Sequence, residues 1–215
     1  MPTPDIVLYG SVFSRTFTAR WILAELDLPY RLEVVDIRRN DQKKADYLKI
    51  NPMGKVPAIT DHGALITETA AICLYLADRY GYGALAPTIE DPLRGPYARW
   101  LVYSTAVLEP AIHMKDWADP EKGRGTGWGT YDNVLDVIER ALTPGPYLLG
   151  ERFTAADIAF GAVFTVAMFN KRLPERPAFT AYNERLTARP ACKRALEENW
   201  PAAELAKLQQ QQTQQ

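Results

Sequence analysis

Cysteine and histidine are scarce, with two of each in 215 residues. Cys73 and Cys192 stand far apart and form no C-x-x-C pair. A disulfide framework or a thiolate zinc site is therefore not expected. His62 and His113 alone are too few for a histidine metal cluster, so no metal is expected. Excess charge is missing too. Lysine plus arginine is 25 against 26 aspartate plus glutamate, a formal net charge of -1. Nucleic-acid binders usually carry clustered excess positive charge, so no nucleic-acid partner is expected. No polybasic patch for a membrane surface is expected either. No run approaches the ~18 apolar residues of a transmembrane helix. Met1-Pro2-Thr3-Pro4-Asp5 lacks the basic and apolar regions of a signal peptide, which points to a cytoplasmic protein. What is present is ordinary for a globular chain: 47% hydrophobic and 24% charged residues. The length suits one large domain or two small ones, each able to bury a core.

The first eighty residues alternate between strand and helix patterns. Ile6-Val7-Leu8-Tyr9, closed by Gly10, is a short buried-strand signal. Phe17, Trp21, Ile22, Leu23 and Leu26 suit a helix over about 16–26. Tyr30, Leu32 and Val34 alternate with Arg31, Glu33 and Val35 as a second strand. Residues 36–50 are polar and end in a short helix around Tyr47-Leu48. Ala58-Ile59-Thr60 and Leu65-Ile66-Thr67 flank Asp61-His62-Gly63-Ala64 as a hairpin, and 68–80 reads as a helix stopped by Gly81. Residues 82–90 read as a linker. Strand signals then nearly vanish. Tyr97, Trp100, Leu101, Ser104 and Leu108 share one face of a long helix. Residues 116–129 form a glycine-bearing loop, and Val134, Leu135, Ile138 and Leu142 mark another helix. Residues 154–170 should be a buried central helix, and Phe179, Tyr182 and Leu186 mark one more. Residues 208–215, rich in glutamine, offer nothing to bury and are expected to be disordered.

Three clusters carry chemical information. Asn51-Pro52-Met53-Gly54-Lys55-Val56-Pro57 is a constrained turn. A proline directly before a strand donates no ladder hydrogen bond. In a cis bond it would leave Val56 as a strand-like edge for an extended peptide ligand; an ordinary trans turn is the alternative. Glu68-Thr69 opens the next helix, where a hydroxyl and free N–H groups suit a carboxylate and Glu68 suits an amino group. A plain cap and a favourable charge on the helix dipole are the alternative there. Thr154-Ala155-Ala156-Asp157 has capping-box spacing, with Phe153 and Ile158 at the hydrophobic-staple positions, so Asp157 reads as structural rather than catalytic.

Together these features resemble the cytosolic glutathione transferase family, bacterial-type with a serine-type (theta-like) first-helix motif. The resemblance covers nearly the whole chain. It implies a thioredoxin-like α/β N-terminal domain over 1–81, a linker over 82–90 and an all-α C-terminal domain over 91–207. It also implies a glutathione site. Pro57 would be cis, Val56 would pair with the cysteinyl backbone, and Glu68 and Thr69 would hold the γ-glutamyl end. Lys55 would lie near the glycyl carboxylate. The family usually has serine where Thr69 stands, and threonine keeps the hydroxyl.

The family activates the thiol with Tyr, Ser or Cys after the first strand. Here that segment is Tyr9-Gly10-Ser11-Val12-Phe13-Ser14-Arg15-Thr16. It carries no thiol, which disfavours disulfide exchange by the protein itself. Matching Trp21-Ile22-Leu23-Ala24 to the first helix of theta-like transferases places Ser14 at their serine. Ser11 is the main rival, Tyr9 reads as core, and Ser14 as a mere N-cap is a further alternative. A free thiol with pKa ~8.5 is only a few per cent thiolate at pH 7. Lowering it by about two units takes roughly 2.7 kcal/mol. One charge-assisted hydrogen bond and a helix terminus can supply that.

The resemblance thus implies a glutathione transferase with glutathione as cosubstrate and no metal. Its second substrate would be a small hydrophobic electrophile, glutathione peroxidase activity would accompany conjugation, and the chain would form a homodimer. The alternatives are a glutathione-dependent isomerase, dehalogenase or β-etherase, and a non-catalytic glutathione-binding module. Trp117, Trp128, Tyr103, Val107 and His113 are candidates for the electrophile pocket, with core packing as the competing reading of each.

Overall fold

The computed structural model describes residues 3–115 and 125–206. The backbone divides into two compact units. Residues up to Ile72 together with those from Pro190 onward form one, and Cys73–Arg189 form the other.

The first unit is built on a four-stranded sheet. β1 (Ile6–Gly10), α1 (Thr16–Glu25) and β2 (Tyr30–Val34) are followed by short 3-10 turns and α2 (Ala45–Ile50). β3 (Ala58–Asp61) and β4 (Ala64–Thr67) complete the sheet, and α3 (Thr69–Tyr80) follows. The strand order is β2-β1-β3-β4. β1 and β2 are parallel, which requires a crossover, and α1 supplies it. β3 runs antiparallel to both β1 and β4. The β3–β4 connection is the pair His62-Gly63, at φ 48° and 81°. Positive φ at both positions is what a tight two-residue hairpin turn demands.

Leu8, Ala58 and Ile59 are fully buried in the sheet, and α1 is buried all round from Thr16 to Leu23, with Phe17, Trp21, Ile22 and Leu23 its large apolar side chains. The alternation expected to bury Leu32 and Val34 does not do so. Leu32 is 36% and Val34 70% exposed. β2 is an edge strand, and Val34 lies opposite Gly10, which has no side chain to cover it.

A helix with no sequence-based expectation, Pro190–Asn199, returns to this unit and packs along α1 in its most extensive helix–helix contact. Its buried residues are Cys192, Ala195 and Asn199, small or polar side chains that give little hydrophobic signal. Several links fasten it, among them the following. Arg20 Nη1 lies 2.8 Å from Glu198 Oε2, Arg194 Nη2 donates to the Ala24 carbonyl at 3.0 Å, and Trp200 meets Phe17 edge-on at 5.2 Å.

The second unit begins inside α3. α4 (Arg94–Tyr103) runs through a π-helical turn at Ser104–Leu108 into α5 (Glu109–His113). α6 (Tyr131–Leu142), α7 (Ala155–Phe169) and α8 (Pro177–Ala188) follow. The Pro190–Asn199 helix is then α9. α7 is buried over nearly its whole length, as its apolar run requires. Phe160, Phe164, Phe179 and Tyr182 interlock at 5.3–6.3 Å in stacked, edge-on and tilted pairs.

The start of α7 shows the expected capping box, with Thr154 and Asp157 each serving the other's backbone. Asp157 is fully buried, and its carboxylate accepts from the Leu148, Thr154 and Tyr182 donors. The architecture is therefore a thioredoxin-like α/β arrangement joined to an all-helical one. Among the described residues, no helix is long and apolar enough to cross a membrane. Residues 116–124 of the expected loop, including Trp117, and the glutamine-rich 208–215 lie outside the described residues.

Candidate functional site

Sheet register brings the candidate residues of the first unit to one edge. β1 ends at Gly10, paired through Tyr9↔Ala58 with the first residue of β3. Ala58 also pairs with Thr67, the last residue of β4. The Ser11–Ser14 loop after β1, the Val56-Pro57 turn before β3 and Glu68-Thr69 after β4 therefore open at the same end of the sheet. Helix α1 starts there as well.

The turn before β3 is held from behind. The Val56–Pro57 peptide bond is cis. Tyr47 Oη donates to the Lys55 carbonyl at 2.6 Å, and Asn51 Nδ2 donates to the same oxygen at 2.9 Å. Burial pushes the Tyr47 phenol up to about 12, so it keeps the proton it donates. Asn51, only 2% exposed, also accepts the Met53 N–H at 3.1 Å. Gly54 sits at φ 60°, and a Cβ there would come within 2.8 Å of the Gln42 carbonyl, so the position requires glycine. With the Lys55 carbonyl occupied twice, Val56 is left over. Among the described residues neither its N–H nor its C=O is hydrogen-bonded. Val56 is half-buried, Lys55 exposed and Pro57 buried.

Glu68 is exposed and sits at φ 66°, a left-handed conformation uncommon for a residue with a side chain. Its carbonyl accepts the Ile72 N–H at 2.9 Å, the first bond of α3. The N–H groups of Thr69, Ala70 and Ala71 are therefore the open donors of that helix end. They lie beside the half-buried Thr69 and the exposed Glu68, whose carboxylate has no partner among the described residues.

The loop after β1 is tightly drawn. A Cβ on Gly10 would lie 2.4 Å from Thr16 Cγ2, so only glycine lets the strand end approach the start of α1. Ser14 is half-buried. Its hydroxyl oxygen lies 2.6 Å from the Ser11 carbonyl and 2.8 Å from Thr16 Oγ1, and it accepts the Thr16 N–H at 3.1 Å. Ser14, one residue before the N-cap Arg15, therefore accepts the first N–H of α1 while carrying a donor proton of its own. Ser11 is 4% exposed, its N–H donates to Thr16 Oγ1 at 3.1 Å, and its hydroxyl has no described partner. Tyr9 lies within β1, half-buried, with its ring 6.4 Å from that of Tyr47.

The structure adds residues that the sequence reading did not single out. Asn51 had a usable signal, since an asparagine opening a Pro/Gly turn readily bonds its own backbone two residues on. Tyr47 and Thr16 had none, because their partners are fixed only by the fold. The electrophile-pocket candidates lie in the second unit. Tyr103 Oη donates weakly to the Val134 carbonyl at 3.5 Å, and burial raises its phenol to about 12. His113 Nδ1 lies 3.0 Å from Arg172 Nη1. Val107 and Trp128 are both half-buried.

Comparison with known proteins agrees with this geometry. Residues 13–79 match the glutathione S-transferase N-terminal domain and residues 115–198 the C-terminal domain. Glutathione S-transferase hmp2 of Hypomyces subiculosus is 47% identical over 170 residues, spanning 71% of this chain and 78% of its own. Glutathione S-transferase 3 of Schizosaccharomyces pombe is 33% identical over 172 residues, spanning 71% of this chain and 70% of its own. Among solved structures, a glutathione transferase from Methylococcus capsulatus superposes with a TM-score of 0.75 at 30% identity, over 90% of this chain and 98% of that one. One from Phanerochaete chrysosporium, solved with oxidized glutathione, gives 0.74 at 25% identity over 91% and 95%.

Proposed function

The chain belongs to the glutathione S-transferase family, and from that premise we propose that it binds glutathione at the sheet edge and activates its thiol for attack on a hydrophobic electrophile. The observation that carries this reading is the unpaired backbone of Val56, framed by Glu68-Thr69 on one side and Ser14 on the other. An extended tripeptide pairs its cysteinyl backbone with Val56 as an added strand would. Its γ-glutamyl carboxylate meets the open N–H groups and hydroxyl at Thr69, and its amino group meets Glu68. Lys55, exposed beside the turn, serves the glycyl carboxylate. Pro57 sets the direction of the edge. Residues 1–81 are then the glutathione-binding segment, 82–90 a linker, and 91–207 the helical part that selects the electrophile.

We assign thiol activation to Ser14, which makes this a serine-type enzyme. The N–H of Thr16 donates into Ser14 Oγ, which polarises the hydroxyl and strengthens its own proton as a donor. Rotation of that proton from the Ser11 carbonyl onto the glutathione sulfur stabilises the thiolate, and the α1 N-terminus adds positive potential. The thiol proton leaves to solvent, and the thiolate then forms a C–S bond to the electrophilic carbon, whose leaving group departs as an anion. Ser11, at 4% exposure, is the less accessible hydroxyl. A cytoplasmic homodimer and an accompanying peroxidase activity complete the proposal.

Retention on immobilised glutathione, conjugation of a chloronitrobenzene and reduction of cumene hydroperoxide test it. Folded protein that does not bind glutathione refutes the reading. Ser14→Ala should raise the pH at which bound glutathione ionises, and a shift seen with Ser11→Ala instead would move the role to Ser11.

A further inference from the structure

We propose that Asn199 is a positioning residue for thiol activation, acting from the end of α9 on the loop that carries Ser14. The proposal rests on the assignment of Ser14 made above. Asn199 is fully buried and meets the loop twice. Its backbone carbonyl accepts the Phe13 N–H at 2.9 Å, and its side-chain Nδ2 donates to the Ser14 carbonyl at 3.1 Å. Phe13 sits at φ 55°, which a bulky residue adopts only when its surroundings impose it. The loop is thus pinned at two places. Gly10 and Thr16 fix its start, and Asn199 fixes the Phe13-Ser14 peptide from the far side.

The Asn199 carboxamide is poorly explained by stability alone. Its Oδ1 is buried with no partner among the described residues. A half-satisfied buried amide gains one hydrogen bond and bears the desolvation of the other group, so an apolar side chain of similar size would serve packing at least as well. What the amide does that an apolar side chain does not is hold the Ser14 carbonyl. That bond and the Phe17 N–H, which donates to the same oxygen at 3.3 Å, together orient the Ser14 backbone, and through it the direction in which Ser14 Oγ points. With only the longer Phe17 bond left, the hydroxyl settles toward its Ser11 and Thr16 partners and away from the sulfur, and the bound thiol loses the donor that lowers its pKa.

The test compares Asn199→Leu, which keeps volume and removes the donor, with Asn199→Ala as a second variant should leucine not fold. Glu198→Gln serves as a control, because it breaks the Arg20 pair on the same helix without touching the loop. Arg15 and Arg20 remain in every variant, and Glu198 changes only in the control. At saturating glutathione, conjugation of a chloronitrobenzene is followed from pH 6 to 9, with thermal melting alongside. For Asn199→Leu the expected result is roughly fivefold lower kcat near pH 6.5, matching a thiol pKa raised by about one unit. The deficit should close as pH approaches 9, and KM for glutathione should stay within about twofold of the parent. Glu198→Gln should lower the melting temperature and leave the pH profile in place. An unshifted profile in both Asn199 variants, while Ser14→Ala shifts it, overturns the role of Asn199 alone. An equal shift in Glu198→Gln also overturns it, because general loosening of α9 would then suffice. If Ser14→Ala itself leaves the profile unshifted, the Ser14 assignment falls first and this proposal falls with it.

Discussion

Replacing Asp157 with alanine removes the acceptor for the Leu148 N–H at 2.9 Å, the Thr154 N–H at 2.9 Å and the Tyr182 hydroxyl at 3.0 Å. The site is fully buried, so water does not replace the lost acceptor. Loss of a capping interaction costs about 1 kcal/mol. Each buried donor left unpaired costs roughly 1–3 kcal/mol. One term works the other way. Burial raises the Asp157 carboxyl from 3.8 to about 6, against the pull of its donors. Holding it ionised at pH 7 therefore already costs about 3 kcal/mol, which alanine recovers. These terms leave an expected net loss at pH 7 of about 1–7 kcal/mol, read as a lower urea midpoint at unchanged slope.

The pH dependence has a definite sign. A group whose folded pKa lies above its unfolded value stabilises most below the unfolded pKa, near 3.8, and that contribution is lost as pH rises through about 6. The deficit of the alanine variant should therefore grow by about 1 kcal/mol between pH 7 and pH 5. Variant protein that remains folded should conjugate substrate normally. A deficit under about 1 kcal/mol at both pH values, or one that shrinks on acidification, refutes the reasoning.

Three further outcomes are expected. Gly10→Ala forces a methyl to 2.4 Å from Thr16 Cγ2 and should destabilise by about 2–3 kcal/mol in thermal or urea unfolding; a neutral result would mean that the strand–helix approach is not tight. Asn51→Ala removes one of the two donors on the Lys55 carbonyl and should raise the glutathione KM by roughly tenfold, with little change in the pH at which the bound thiol ionises. Glu68→Gln should weaken glutathione by roughly tenfold in a fluorescence titration, and unchanged affinity would remove the ammonium contact from the proposal.

Much of this was legible in the sequence because the signals were local. The β-α-β then β-β-α order followed from short apolar runs and turn residues. The Thr154/Asp157 cap followed from spacing alone. The residues proposed for the glutathione site were singled out by a Pro/Gly turn and a helix start at a fixed distance, with family resemblance supplying the roles proposed for them. What was not legible depends on neighbours distant in sequence. Val34 alternates correctly, yet it is exposed because its cross-strand partner is Gly10. Helix α9 escaped notice because its buried face consists of Cys192, Ala195 and Asn199 between charged residues, and small buried side chains give a weak periodic signal. The hold of Asn199 on Ser14 spans 185 positions of chain, a relation that no local pattern encodes.

The return of α9 to the first unit also bears on the order in which the protein is made. Residues 73–189 form one uninterrupted stretch, whereas the first unit needs the segment from Pro190 onward to cover α1. A ribosome therefore completes the second unit's material while the α1 face that will receive α9 still awaits its cover. The part of the molecule translated first is finished last, reversing the usual N-to-C order of domain completion. On stalled ribosomes, nascent chains of increasing length should gain protease resistance within 73–189 before they gain it within 1–72. Simultaneous protection of both stretches, or protection of 1–72 before α9 has left the exit tunnel, would contradict that order.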